Sequence, residues 1–208
     1  MFENIKYHYN IWAHQYDIGV NPTRDLDKIV TIKSLSGINF SNVLEIGCGT
    51  GKNTEWLITR ADSLVGLDFS KNMLALAKRK VISGKVTFMK TNLIQKWPVI
   101  DNSFDLATIN LTLEHLDKLD HIFHSLHKKL TIGGKCFACE LHPKKQAEGS
   151  KAQFVINGVR KDFYTYRHTE QDYIRAAQKA GFVLLSKKDW LDNDQDLPRL
   201  ISFIFEKL

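Results

Sequence analysis

The stretch Val43-Leu44-Glu45-Ile46-Gly47-Cys48-Gly49-Thr50-Gly51-Lys52-Asn53-Thr54 decides the fold. It opens as a short apolar strand with an acidic residue near its end. Three glycines at alternate positions follow, and then a helix start. Glycine lets backbone lie against a ligand because no Cβ stands between them, and it permits the sharp strand-to-helix turn. A second strand, Ser63 to Leu67, ends at Asp68. An acidic side chain about twenty residues beyond a glycine loop suits ribose, since a carboxylate accepts from two vicinal hydroxyls. The segment reads as the front half of a βαβ nucleoside site. Taken alone, the loop also fits a structural turn or a dinucleotide site.

Two details discriminate. The dinucleotide fingerprint needs a glycine at its sixth position for close helix–strand packing. Counted from Gly47, that position is Lys52. Glu45 stands two residues ahead of the loop, where a carboxylate repels a pyrophosphate and favours an ammonium or sulfonium. S-adenosyl-L-methionine (SAM) joins an adenosine to both cations and carries no phosphate. Through these residues the chain resembles the class I SAM-dependent methyltransferases. The acidic-x-G-x-G-x-G loop is Glu45 to Gly51, and the acidic strand end lies in Val65-Gly66-Leu67-Asp68-Phe69-Ser70. The likeness continues through Phe104-Asp105-Leu106, Leu113-Glu114-His115-Leu116 and Leu130-Thr131-Ile132-Gly133-Gly134-Lys135, so it covers nearly the whole chain. The ordered series is far more specific than one glycine loop.

The rest of the chain alternates strand and helix patterns, which predicts an α/β fold with a parallel sheet and helices on both faces. Strands are expected at Val43–Ile46, Ser63–Leu67, Val86–Lys90, Asp105–Asn110, Lys135–Glu140, Phe182–Trp190 and Leu200–Glu206. Helices are expected near Asp25–Leu35, Lys52–Thr59, Lys71–Arg79, Asp117–Lys129 and Glu170–Ala180, the last capped by Thr169 and ended by Gly181. Only a short polar link, Asp192-Asn193-Asp194-Gln195-Asp196, joins the final two strands, which suits an antiparallel pair. The resemblance implies a Rossmann-like seven-stranded sheet, order 3-2-1-4-5-7-6, with strand 7 antiparallel.

At 208 residues the chain is expected to be a single SAM-dependent methyltransferase domain. Two segments fall outside the core pattern. Residues 1–24 match the family's cofactor-capping helix, Y-x-x-x-A-x-x-Y-D, at Tyr9, Ala13, Tyr16 and Asp17; an amphipathic helix packing its aromatics is the structural alternative. Residues 142–168 hold two β-rich runs around Asn157-Gly158, a hairpin signal and a lid-like insertion between core elements.

In open α/β sheets ligands bind beyond the carboxyl ends of the strands, where the strand order reverses. The resemblance therefore assigns Gly47, Cys48, Gly49 and Gly51 to the methionine and ribose, and Glu45 to the amino-acid end. Asp68 is expected at the ribose hydroxyls, a role compatible with capping the helix from Ser70. Phe69 and Met73 are candidate adenine walls, with core packing the alternative for Met73. Tyr16 belongs to the cap. After strand three, where the family usually has an acidic residue, stands Asn92; its amide oxygen can accept from the adenine amino group, and the Leu93 N–H can donate to the ring. The Asn110 carbonyl is expected near the methionine ammonium. The sulfonium carries the activation, so a catalytic signature is not required. His168 and His142 are the candidate bases, with His115 and Glu114 beside them and a structural histidine as the alternative.

Composition narrows the partners. The net charge is +6, yet Lys and Arg are spread along the chain in pairs such as Lys128-Lys129, which argues against a nucleic-acid surface. After strand four, Asn110-Leu111-Thr112-Leu113 lacks the Asn/Asp-Pro-Pro-aromatic motif of amino-methylating nucleic-acid enzymes. A small-molecule acceptor is therefore expected, with SAM as cofactor and S-adenosyl-L-homocysteine (SAH) as product. An RNA or protein methyltransferase, or a non-catalytic SAM-binding module, is the alternative. The longest apolar runs are too short to span a bilayer and the start has no signal-peptide core, so a cytoplasmic enzyme without membrane contact is expected. Cys136 and Cys139 form a lone C-x-x-C on one strand, facing opposite ways. His121, His124 and His127 lie mostly opposite the apolar face of their helix, so no metal is expected.

Overall fold

A computed structural model describes residues 2–156, 158–192 and 196–208. Its strands are β1 (Asn42–Ile46), β2 (Ser63–Asp68), β3 (Val86–Lys90), β4 (Phe104–Asn110), β5 (Leu130–Leu141), β6 (Gln153–Ile156), β7 (Val159–Asp162), β8 (Phe182–Leu191) and β9 (Pro198–Lys207). Seven of them form one sheet in the order β3-β2-β1-β4-β5-β9-β8. Strands β1 to β5 run parallel, and β9 is antiparallel to both neighbours. With β6 and β7 set apart as their own antiparallel ribbon, this is the expected arrangement. Of the hairpin turn, Asn157 lies outside the described residues, as do residues 193–195 of the polar link before β9.

The helices are α1 (Phe2–Tyr16), α2 (Pro22–Leu35), α3 (Thr54–Leu57), α4 (Lys71–Lys80), α5 (Leu119–Lys129), α6 (Pro143–Ala147) and α7 (Glu170–Lys179), with a 3-10 turn at Leu113–His115. Asn21 caps α2 by accepting from the Arg24 N–H at 3.0 Å, and Pro22 takes the first position, where no N–H is needed. Thr169 and Asp172 close a capping box on α7. Helix α3 is four residues long, shorter than the expected Lys52–Thr59. Thr54, Ile58 and Thr59 are β-branched and favour helix poorly, and after Leu57 the backbone tightens into turns. Strand β5 starts earlier than expected because Leu130 already pairs with Phe104; the register then shifts before Lys135 pairs with Leu106.

Side-chain alternation along the buried strands sorts the core into two layers. Leu44, Ile46, Ile109, Cys136 and Phe203 face α5 and α7, meeting Ile122, Phe123, Leu126 and Tyr173. Val43, Leu106, Phe137, Cys139 and Leu200 face α2 and α3, meeting Val30, Leu35 and Leu57. The two C-x-x-C thiols thus lie on opposite faces, each buried and free. Glu45 shares its face with Val43 and points toward α3. His121 and His124 are exposed on α5, and His127 packs edge-on against Phe182. A third cluster lies beyond the sheet: Ile5 of α1 and Phe154 and Phe163 of the insertion, with Tyr9, Trp12 and Phe69 against them. It roofs the carboxyl ends of β1, β2 and β4. No helix among the described residues is long and apolar enough to cross a membrane.

Candidate active site

The roof and the strand ends enclose a cavity of about 670 Å³, counted out to its mouth. Tyr9, Tyr16, Gly47, Gly49, Asp68, Phe69, Met73, Leu93, Asn110 and His115 line it, among others. Asp68 is held at its wall: the Gly49 N–H donates to Oδ2 at 3.0 Å and the Ser70 N–H to Oδ1 at 2.7 Å. Burial nevertheless pushes its carboxyl up to about 6, against the pull of those N–H groups. Gly47 and Gly49 have φ values of +68° and +53°, which an L side chain rarely adopts. At Gly47 a Cβ would also stand 2.2 Å from Thr112 Oγ1. Gly51 serves a different purpose from the one expected of it: its open face meets Ala77 and Val81, so it lets α4 pack against the loop.

A recess opens below the loop, lined by Tyr16, Asp27, Glu45, Gly47, Cys48, Lys52, Asn53 and Asn110, among others. Asp27, fully buried on α2, organises it. The carboxylate accepts from Asn110 Nδ2 at 2.7 Å, from Asn53 Nδ2 at 3.1 Å and from the Lys52 ammonium. Because both amide NH2 groups are spent on Asp27, both amide oxygens are turned the other way. Asn53 Oδ1 and Asn110 Oδ1 are buried and have no donor. Glu45 adds a third acceptor, taking the Thr54 hydroxyl on Oε2; burial pushes its carboxyl up to about 8. A recess with three acceptors and one ammonium matches an α-amino acid zwitterion, whose own ammonium supplies the missing donors. The Asp68 wall and the glycine loop match a ribose beside it. The residues present therefore fit SAM.

On its other side the cavity meets a wider vestibule. Trp12, Gln15, Arg24, Glu114, Phe154, Arg160 and Arg199 are among its walls, and Tyr9, Tyr16 and Leu111 are shared with the cavity.

The expected bases sit elsewhere. His168 is buried with Nε2 2.8 Å from the Leu116 carbonyl, edge-on to Tyr173. His142 caps α6, its Nδ1 accepting from the Lys144 N–H at 3.1 Å. Neither lines the cavity. Their sequence positions bring them near the insertion, and His142 Nδ1 and His168 Nε2 are bonded to backbone. His142 Nε2 also lies 3.5 Å from Asp189 Oδ1 and 3.7 Å from Glu170 Oε1, a triangle with metal-site dimensions. With Nδ1 accepting, the neutral ring carries its proton on Nε2 and presents a donor to the carboxylates, opposite to what a metal requires. Asn92 also stands apart from the cavity lining: Oδ1 accepts from the Ile94 N–H at 3.2 Å, and Leu93 is the residue that reaches the wall.

The sequence reading missed Asp27, Lys52 as a recess residue, and the pairing of Tyr9 with His115. Asp27 carried a signal: it falls on the helical stripe of Arg24, Thr31 and Leu35, where an acidic residue is out of place unless it is paired.

The profile of a family described as a methyltransferase domain matches residues 44–138. The chain is 30% identical over 183 residues to a malonyl-[acyl-carrier protein] O-methyltransferase of Buchnera aphidicola, covering 88% of this chain and 65% of that protein. It is 32% identical over 109 residues to a demethylmenaquinone methyltransferase of Bacillus cereus, covering 48% and 44%. Among solved structures, a SAM-dependent methyltransferase of Mesorhizobium loti superimposes with a TM-score of 0.73 at 19% identity, covering 86% of this chain and 96% of that one. The DhpI–SAH complex superimposes with a TM-score of 0.76 at 20% identity, covering 99% and 96%. The chain has the fold of the class I SAM-dependent methyltransferases, and its residues 44–138 match a methyltransferase-domain family. It spans about half the length of the curated relatives it matches.

Proposed function

We propose that this methyltransferase transfers the SAM methyl group to a nucleophile of a small molecule. The reading rests above all on two adjoining cavities that share Tyr9, Tyr16 and Leu111 as a partition. The inner one has the chemistry for the donor; the outer one is open to an acceptor. Bound SAM supplies an electrophilic methyl on sulfur. The protein's task is then to hold, align and keep dry. In this reading Asp68 accepts from the ribose hydroxyls, and Phe69, Met73 and Leu93 wall the adenine. Asn53, Asn110 and Glu45 accept from the ammonium of the amino-acid tail, and Lys52 faces its carboxylate.

The whole chain acts as one catalytic domain in this proposal, with α1 as cap and residues 142–168 as lid. Asn10 ties the cap to α4, its Oδ1 accepting from the Ser70 hydroxyl at 2.8 Å and its carbonyl from Asn72 Nδ2 at 2.7 Å. Asp17 accepts from the Thr50 hydroxyl at 2.9 Å, fastening the cap's far end to the glycine loop. The roof that encloses the cavity favours a small acceptor over a polymer.

Native mass spectrometry of the purified protein tests the donor: carried-over SAM or SAH is expected. Calorimetry with added SAH should give one site per chain, and absence of binding would refute the proposal.

A further inference from the structure

We propose that Tyr9 and His115 are catalytic residues, a proton-accepting pair for the methyl transfer, and that the acceptor is an acidic hydroxyl of the phenol or enol type. The inference rests on the methyltransferase reading above.

Tyr9 Oη lies 2.7 Å from His115 Nε2, and the two rings meet edge-on with centroids 5.4 Å apart. Both line the donor cavity, and Tyr9 also lines the vestibule. Among the described residues of the inner cavity, His115 is the one side chain that can offer a neutral basic nitrogen. Tyr9 therefore stands at the partition that a methyl group must pass, with His115 on its inner side. Burial holds the His115 imidazole down at about 4, with a backbone contact from Tyr164 working the other way. At neutral pH its ring is uncharged and able to accept. Burial also raises the Tyr9 phenol, and Glu114, Asp68 and Glu140 push it the same way. Tyr9 therefore carries a proton and donates it to Nε2.

The balance is as follows. An acceptor hydroxyl attacks the methyl carbon with an oxygen lone pair, an O–C bond forms and the S–C bond breaks. The hydroxyl proton passes to Tyr9 Oη as the Tyr9 proton passes to His115 Nε2. One positive charge disappears at sulfur and one appears on the imidazole, so the site's net charge is unchanged. Glu114 Oε1, 3.9 Å from Nε2 and also a vestibule wall, stands where it stabilises the imidazolium. Burial pushes the Glu114 carboxyl up to about 7, so a new cation beside it favours its ionised form. Trp12 and Phe154 among the vestibule walls give a flat apolar surface that suits a ring-borne hydroxyl.

The test uses full-length protein, radiomethyl-labelled SAM and four probes: phenol, catechol, 4-hydroxycoumarin and 4-nitrophenol. Wild-type protein is expected to methylate at least one of the four. On phenol or catechol, His115→Gln and Tyr9→Phe should lower kcat on the order of 100-fold, the usual worth of a general base. On probes already ionised at pH 8 the loss should shrink to within a few fold, because no proton remains to be taken. A residue that merely supports the fold would lose equally on both kinds of probe, and that result overturns the pair's role. Failure of wild-type protein to methylate any of the four, while it binds SAH by calorimetry, overturns the hydroxyl assignment. Failure to bind SAH at all refutes the underlying methyltransferase reading instead.

A second readout needs no acceptor. The His115 pKa, followed by NMR in labelled protein, should be at least tenfold higher in proton affinity in the SAH complex than in the complex with sinefungin, which keeps a positive charge at the methyl position. Equal values in the two complexes would also overturn the proposal.

Discussion

Asp27→Asn is the most informative single change, because its effect on the ligand can be separated from its effect on the fold. Asp27 presents two oxygens to three donors: Lys52, Asn53 and Asn110. An asparagine offers one oxygen and one NH2, so at least one donor faces another donor. The Asp27–Lys52 pair is buried on the acid's side and mostly buried on the base's. Breaking such a pair by removing one charge costs about 3–5 kcal/mol, and the retained oxygen puts this case near the lower end. At about 2–4 °C per kcal/mol for a chain of this size, the melting temperature should fall by about 6–12 °C. The ligand effect follows from orientation. Once an amide loses its fixed partner, its oxygen no longer points reliably into the recess. Losing one hydrogen bond to a charged group costs about 1.5–3 kcal/mol, roughly 10- to 150-fold in SAH affinity. The assay is calorimetry at a temperature where the variant is folded, with SAH and with 5′-methylthioadenosine, which lacks the amino-acid tail. SAH should lose the full factor and methylthioadenosine less than twofold. Equal losses on the two ligands, or none on SAH, would refute the assignment of this recess to the tail.

Three further expectations are quicker to check. Asp68, raised from 3.8 to about 6, stays protonated in the empty fold to a higher pH than in the unfolded chain, so its ionisation lowers stability as pH rises from about 4 to about 6. Ribose hydroxyls prefer the ionised form, so SAH affinity measured by calorimetry should be about tenfold weaker at pH 5 than at pH 8; a flat profile would count against the ribose role. Glu45, at about 8, is mostly protonated at pH 7, and an ammonium beside it should release close to one proton on binding. That release appears as a dependence of binding enthalpy on the buffer's ionisation heat, and no dependence would remove Glu45 from the tail site. Gly47→Ala meets Thr112 Oγ1 at 2.2 Å and a positive φ, so it should cost about 2–3 kcal/mol in denaturant unfolding. Adding Thr112→Ala should recover part of that cost, and no recovery would mean that backbone strain alone accounts for it.

What could be read in the chain depended on whether the relevant physics was local. The strand order of the core, the capping of α7 and the opposite facing of Cys136 and Cys139 follow from periodicity, cap chemistry and a resemblance carried by contiguous motifs. That Gly47, Gly49 and Asp68 meet at one cavity wall was legible for the same reason: the loop and the next strand end are about twenty residues apart and their spacing is itself a geometric statement. Gly51 shows the limit of that reasoning, since one glycine in the same motif answers to Ala77 and Val81 and the others to the cavity and Thr112. The histidines were harder. His142 and His168 stand near motifs that attract attention, yet each has its ring occupied by backbone, Lys144 N–H in one case and the Leu116 carbonyl in the other. His115 stands inside a motif as well, but its partner Tyr9 is 106 residues away on a helix that docks over the sheet. No local pattern encodes that distance. Asp27 lies between the two cases. Its helical phase places a carboxylate on a buried face, and a buried carboxylate must have donors, so the sequence implies partners for it without naming them. Which amides answer it depends on tertiary packing: Asn53 and Asn110 stand 26 and 83 residues further along the chain.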